Sequence, residues 1–472
     1  MKVLSMFMSS IFILISSHVM ITEAFSCQTL KGFHTKLHSI KQQVETNNDK
    51  SLSKPSPISM NLDELTQTMN GKGKAQLCWD CFKIGIDPLH FFHPNYPPDE
   101  LDQTIHNLVS TTCMTQSDIL QYIPVKRQSQ TLGMKSLLQL QNSYTNPLGI
   151  ESSIAQLVQI TQSTDGTTKL LLKLVGIENY IESVIIPNEK WGKSTLCVSS
   201  QVGCAQGCVF CATGKMGRLA SLTSDEILIQ LYYANKVVRC FNNGGGVGSS
   251  SDDMDDNDVD GGWSELPTID NIVFMGMGEA GDNIDSVQQA VKCMTDRSCF
   301  GLAPSKITIS TVGPSPDVFE KLTQADAVLA WSVHAANDEL RKKLVPTTKY
   351  SMEELKDGVI KALCKRSKRL RNLMLEITLM DGINDGLKEA EELADFALDI
   401  QNRVEGIKLM VNLIPFNDIG YEQYRRASDE NIASFQKVLV GKGVKTYIRT
   451  TRGDEENSAC GQLATKKRRN VL

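Results

Sequence analysis

Thr195-Leu-Cys-Val-Ser-Ser-Gln-Val-Gly-Cys204-Ala-Gln-Gly-Cys208-Val-Phe-Cys211 opens as a strand and ends in a loop crowded with thiols. Its first six residues have the apolar and hydroxylic character of a buried strand. The spacing C-x3-C-x2-C then sets Cys204, Cys208 and Cys211 within eight residues of one another. Soft thiolates in that density suit an iron–sulfur cluster better than a crosslink. Three of them hold three irons of a [4Fe–4S] cube and leave the fourth iron open. Three core or zinc-binding cysteines are the plainer reading, and the strand–loop–helix setting argues against it. An open iron can chelate the amino and carboxylate groups of S-adenosylmethionine, and electron transfer then cleaves the sulfonium to a 5′-deoxyadenosyl radical.

Outward from that loop the chain alternates. From Leu157 onward, apolar, largely β-branched segments predict strands at Thr195–Ser200, Asn271–Met277, Lys306–Val312, Ala327–Val333, Leu373–Met380, Lys408–Pro415 and Val444–Thr450. Between them, amphipathic periodicity predicts helices at Ser224–Val238, Asn283–Cys293, Met352–Lys368, Glu389–Gln401 and Asp429–Leu439. Alternation of this kind means βαβ units and a parallel sheet, the α/β class. Residues 76–150 read as a small helical N-terminal domain, in which Leu101, Ile105, Leu108 and Val109 form one apolar stripe. Cys78 and Cys81 make a lone C-x-x-C there, which suits a pair of structural cysteines better than zinc. Residues 151–465 form the main domain, interrupted at 242–262 by a Gly, Ser, Asp and Asn run too polar to order itself.

Composition narrows the class further. With 41% hydrophobic and 22% charged residues in 472, wholesale disorder is excluded. Thirteen cysteines are too few for a disulfide scaffold of this length, and the number is odd. The net charge of −5 looks wrong for contact with nucleic acid, but six aspartates between Asp252 and Asp260 account for it. Residues 1–24 resemble a signal peptide: Lys2, an apolar stretch around Phe7 to Ile15, and Thr22-Glu23-Ala24 as a cleavage site. Residues 25–75 read as a transit-like, disordered linker, basic and acid-poor in its first half. Together they resemble the bipartite presequence of a plastid enclosed by endomembranes, with a cytoplasmic protein or a secreted thiol protein as alternatives. No later run is long enough to span a membrane, so the mature protein is expected to have no stable membrane association.

Gly276-Met277-Gly278-Glu279 follows the second strand of the series. Glycines allow close backbone approach there, and a glutamate at a strand's C-terminal end can accept from a ligand ammonium. Taken singly, Glu182 reads as a solvated strand-end acid, His334 as a satisfied core histidine and Cys460 as an inert buried thiol. Six blocks in order change that: Cys197-Val-Ser-Ser-Gln-Val-Gly-Cys204, the cysteine triplet, the Gly-Met-Gly-Glu turn, Ser332-Val-His334-Ala-Ala-Asn337-Asp338, Asn412-Leu-Ile-Pro-Phe-Asn417 and Arg452-Gly-Asp-Glu-Glu-Asn-Ser-Ala-Cys460-Gly-Gln-Leu. Across residues 155–465 the sequence resembles the RlmN/Cfr family of radical-SAM RNA methyltransferases, the RlmN branch above all.

The resemblance implies a radical-SAM partial (β/α)6, TIM-like barrel with the site at the C-terminal ends of its strands. It implies a [4Fe–4S] cluster on Cys204, Cys208 and Cys211, and S-adenosylmethionine bound by Gly278, Glu279, Ser310, Ser332, Val333, His334 and Asn417. Cys460 matches the cysteine that carries the methyl group, Cys197 the one that resolves the enzyme–RNA adduct through a disulfide, and Glu182 the proton acceptor. The implied reaction is methylation of adenine carbon 2 in large-subunit rRNA, and also in tRNA beside the anticodon. An electron donor such as flavodoxin or ferredoxin would be a partner. The alternatives are carbon-8 methylation, as in the Cfr branch, and an inactive iron–sulfur protein that binds RNA or serves ribosome assembly.

Carbon 2 lacks a nucleophilic lone pair, so a polar one-step transfer from a sulfonium is unpromising, whereas a carbon radical can add to an electron-poor ring. RNA contact is expected from Lys215, Arg218, Arg341, Lys342, Lys343, Arg449, Arg452 and a basic tail in 466–472. Ala280 stands where the family has proline, and Gly281-Asp282 replaces an apolar pair, which predicts a looser turn after Glu279.

Overall fold

Strand by strand, side-chain pattern dictates which face is covered. The computed structural model describes residues 55–95, 101–110, 114–243, 263–420, 423–456 and 458–463. Its strands are β1 (Ala155–Gln162), β2 (Thr168–Leu174), β3 (Tyr180–Asn188), β4 (Lys193–Cys197), β5 (Gln201–Val202), β6 (Ala220–Ser221), β7 (Ile269–Phe274), β8 (Ile307–Thr311), β9 (Val328–Ser332), β10 (Asn372–Leu379), β11 (Lys408–Pro415) and β12 (Thr446–Ile448). Ten of them form one sheet in the order β1-β2-β3-β4-β7-β8-β9-β10-β11-β12, and β5 pairs with β6.

From β4 to β12 every neighbouring pair is parallel. The six crossovers carry the helices Ser224–Asn243, Ile284–Thr295, Pro316–Leu322, Met352–Lys365, Leu387–Arg403 and Asp429–Gly441. That arrangement is the partial (β/α)6 barrel expected, and the sheet stays open because β1 and β12 lie at opposite edges. Parallel strands are covered on both faces, and β10 accordingly buries Leu375, Glu376, Ile377, Thr378 and Leu379 in succession.

Alternation does not begin at Leu157. β1, β2 and β3 pair antiparallel, joined by turns instead of helices, and extend the sheet beyond β4. In β2, Thr168, Leu170, Leu172 and Leu174 are buried while Lys169, Leu171 and Lys173 are partly open, the period-two pattern of a sheet with one wet face. The linker assigned to 25–75 also ends earlier. A helix over Leu62–Met69 starts from a capping box between Asn61 and Glu64, and it buries Leu62, Leu65 and Met69. Two short helices, Pro316–Leu322 and Asp338–Leu344, were not anticipated.

The helical region is stitched to the barrel. Arg239 makes a bidentate pair with Asp102 at 2.8 and 2.9 Å, both side chains out of water, and Ser59 donates to Asp225. Leu101, Ile105 and Val109 are buried as the apolar stripe predicts. Cys78 and Cys81 are fully buried in the helix Lys72–Lys83, and burial drives both thiols well above the ordinary range, so they serve as core side chains. The expected leader (1–24), nearly all of the acidic run and the basic tail lie outside the described residues; Asn242 and Asn243, assigned to that run, close the helix Ser224–Asn243. Among the described residues no helix is long and apolar enough to cross a membrane.

Candidate active site

The C-terminal ends of the parallel strands surround a cavity of about 310 Å³. Cys197 closes β4, Ser310 lies near the end of β8, Ser332 ends β9, and Asn417 follows β11. With Cys204, Cys208, Cys211, Gly278, Glu279, His334 and Cys460, these residues line the cavity. Of the residues assigned to catalysis, S-adenosylmethionine and the cluster, two do not line it. Val333 is buried, its N–H donating to Glu376 O at 3.0 Å and its carbonyl accepting from Arg341. Glu182 is buried in β3, its carboxylate 3.9 Å from Lys169 Nζ, while Val184 and Ile186 on the same strand form part of the wall.

Backbone geometry brings the motifs together. Gly276 packs so closely on β4 that a Cβ would sit 2.8 Å from Val198 O, and at Gly278, where φ is +103°, it would sit 2.5 Å from Gln201 Cβ. Glu279 is satisfied within the protein: Thr311 Oγ1 and the N–H groups of Val312 and Gly281 donate to its carboxylate at 2.5, 2.9 and 2.7 Å. Burial nevertheless raises its pKa to about 7. The turn beyond it is not loose. Gly281 is clamped by Glu279, and Gln206, inside the cysteine loop, donates to Asp282 at 2.8 Å. Where the sequence departs from the family's apolar pair, Gly281 thus closes the turn on Glu279 and Asp282 ties it to the thiol loop.

Cys204, Cys208 and Cys211 are free thiols, and burial lifts Cys204 strongly and Cys208 to about 12. Among the described residues no three His, Cys, Asp or Glu side chains meet where a single ion would sit. Three soft donors on one loop facing a cavity fit a cluster, in which each thiolate takes its own iron. Cys197 and Cys460 are free as well, so no disulfide joins them in this structure. Cys460 opens into the cavity but is ringed by protein, which pushes its thiol up to about 11 against the charge of Arg449; burial takes Cys197 to about 12.

One functional neighbour escaped the sequence reading. Glu376 lines the cavity from inside β10, accepts from Ser310 Oγ at 3.2 Å, and lies 3.5 Å from Arg449 Nη1. An acid within an apolar strand, Leu373-Met-Leu-Glu376-Ile-Thr-Leu379, was the signal that could have found it. Arg341, expected to touch RNA, is buried; its guanidinium donates to the carbonyls of Ser332, Val333 and Val312 and ties two strand ends together. Arg449 and the more exposed Arg452 line the cavity, whereas Lys215, Arg218, Lys342 and Lys343 are exposed outside it.

A parallel open barrel with a three-thiol loop at its mouth defines a radical-SAM enzyme. A solved radical SAM methyltransferase from Sphaerobacter thermophilus shares the architecture, with a TM-score of 0.63 and 26% identity over 87% of this chain and 99% of that one. The RlmN dual-specificity RNA methyltransferase of Saccharophagus degradans is 38% identical over 315 residues, which is 66% of this chain and 72% of the relative. That of Stenotrophomonas maltophilia is 40% identical over 304 residues, covering 64% and 70%. No family model matches the chain. The chain belongs to the RlmN family of RNA methyltransferases.

Proposed function

We propose that the protein methylates carbon 2 of an adenine in large-subunit rRNA, and in tRNA beside the anticodon, with Cys460 as the methyl carrier. One observation carries the reading: Cys197 and Cys460, far apart in sequence, line the same cavity as the cysteine triplet. Cys204, Cys208 and Cys211 would hold a [4Fe–4S] cluster, and Gly278, Glu279, Ser310, Ser332, Val333, His334 and Asn417 are assigned to S-adenosylmethionine. When bound, the pair supplies the one-electron chemistry that activates a methyl group on Cys460. Cys460 then holds the RNA covalently, and the ring proton is assigned to Glu182, which lies beside Lys169 in β3, outside the cavity lining. Cys197 attacks the Cys460 sulfur, so that the Cys197–Cys460 disulfide forms as the sulfur–methylene bond to the base breaks and the methylene carbon keeps the electron pair and takes a proton to become the product methyl group, a step that needs both thiols in one site. A small electron-transfer protein of the flavodoxin or ferredoxin kind supplies the reducing equivalents. The basic, hydroxyl-rich leader supports delivery to a plastid; a fusion of residues 1–60 to a fluorescent protein that stays cytosolic would remove that part.

The test is incubation with S-adenosylmethionine, reductant and rRNA. Wild type should yield 2-methyladenosine by nucleoside mass spectrometry, whereas 8-methyladenosine would move the chain to the Cfr chemistry and no methylated nucleoside would favour an inactive binding protein. Cys197→Ala should leave a nuclease-sensitive protein–RNA band on denaturing gels. Cys460→Ala should leave none and methylate nothing. Identical behaviour of the two variants sinks the assignment of the pair.

A further inference from the structure

A second groove, of about 550 Å³, opens beside the cavity and shares Phe416, Asn417, Thr450 and Thr451 with it. Its outer wall is Tyr424, Arg425 and Arg426, facing Asp418 and Asp454. The loop that carries the arginines is held to the end of β10: Asp381 N–H donates to Arg425 O at 3.0 Å, and Met380 bridges Arg426. Tyr424 is half-buried, its ring edge-on to Phe416 at 6.3 Å.

Of the two guanidiniums in the groove one is held in an ion pair and one is not, while the two carboxylates take hydrogen bonds from neutral donors and keep their charge. Arg426 pairs with Asp429 at 2.9 Å, Asp418 accepts from Gly420 N–H at 2.7 Å, and Asp454 accepts from the Gln462 amide at 2.5 Å. Arg425 is exposed and has no ion-pair partner among the described residues. A guanidinium left over beside an aromatic ring, on a groove continuous with a cavity that takes a base, suits one nucleotide: its fork matches a phosphate and the ring can stack a base.

We propose that this groove seats the nucleotide immediately flanking the target adenine, its phosphate on Arg425 and its base against Tyr424. The inference rests on the RNA-methylating reading above. Stacking does not discriminate among bases, because every base presents a π face. One groove of this kind therefore accepts flanking nucleotides of different sequence, as a protein acting on two kinds of RNA requires.

Steady-state methylation of a short stem-loop RNA tests it in the holoenzyme. Arg425→Ala and Tyr424→Leu should each raise KM for RNA about tenfold with kcat unchanged. Arg425→Ala should also lower the slope of log affinity against log salt by about one, with partial recovery in Arg425→Lys. Independently of any variant, wild type irradiated with RNA carrying 4-thiouridine next to the target should crosslink at Tyr424 or Arg425. Crosslinks confined to other segments, or wild-type KM in both variants while wild type still methylates RNA, overturn the groove alone. A wild-type enzyme that leaves RNA unmethylated overturns the reading and the groove with it.

Discussion

His334 adopts a left-handed backbone conformation, φ +55°, that a histidine rarely takes. The surroundings enforce it: its N–H donates to Glu376 O at 3.3 Å, its carbonyl accepts from Asn384 Nδ2 at 3.0 Å, and its ring lies 4.4 Å from that of Phe210. Thr378 N–H donates to Nδ1 at 3.2 Å, which fixes the proton on Nε2. Burial, reinforced by the charge of Arg341, holds its pKa well below the usual histidine value. The sign of the pH effect follows. Below about pH 6.5 the unfolded chain takes up a proton that the folded chain refuses, so this residue costs stability as pH falls through that range. Between pH 7.5 and 5.5 the loss is about 1 kcal/mol. His334→Asn keeps a residue that tolerates the left-handed conformation and removes the titration. Its urea midpoint should therefore drop less on acidification than that of wild type, and equal drops would show that His334 is not the neutral buried base described.

At the scale of elements, the helix Ser224–Asn243 joins the N-terminal helices to the barrel through Arg239. Its guanidinium and the Asp102 carboxylate are both nearly inaccessible, at 3% and 2% exposure, so each depends on the other for its charge. Removing one partner of such a pair typically costs about 3–5 kcal/mol, whereas replacing both with apolar groups costs little. Arg239→Met should show the large loss in urea unfolding and Arg239→Met with Asp102→Leu should recover most of it; a double variant no better than the single would refute the pairing as the cause. Neither partner was legible from sequence, because a long-range ion pair leaves no local pattern. What was legible were elements whose burial is set by periodicity alone, such as β11, whose predicted limits Lys408–Pro415 are those observed. β2 escaped because Thr168-Lys-Leu-Leu-Leu-Lys-Leu174 is built from residues that also favour helices, and only pairing with β1 and β3 makes it a strand. The helix at Leu62–Met69 did carry its signal, the Asn61 to Glu64 capping box, beneath a composition that read as linker.

Over the whole molecule, the site exists because the chain's last described segment returns to the barrel mouth. Gly453 N–H donates to Asp165 Oδ2 at 3.1 Å, and Lys169 Nζ donates to Glu456 O at 2.6 Å, so the β1–β2 hairpin holds the segment where it arrives. Beyond Cys460, Ala212 N–H donates to Gly461 O at 2.8 Å and Thr213 Oγ1 to Leu463 O at 2.5 Å, fastening it to the turn after the thiol loop. Asn417 Nδ2 donates to Cys460 O itself at 2.9 Å. The resemblance implied one site for Cys197 and Cys460, and both line one cavity; the fasteners were invisible, since each uses at least one backbone group, which carries no sequence signature. Gln462 makes two such bonds itself, a buried side chain that accepts from Ala459 N–H at 3.0 Å and donates to Asp418 O at 2.9 Å, locking the turn that presents Cys460. Gln462→Leu fills a similar volume but leaves the Ala459 N–H unsatisfied, which costs about 1–3 kcal/mol locally and frees Cys460 to wander. A displacement of about 1 Å at a reacting atom can lower a rate about a hundredfold. RNA methylation by Gln462→Leu should thus fall at least about tenfold, while iron content and affinity for S-adenosylmethionine stay at wild-type levels. Wild-type turnover in this variant would mean that Cys460 is placed by the other fasteners alone, and loss of iron along with activity would mean that the segment supports the thiol loop as well as Cys460.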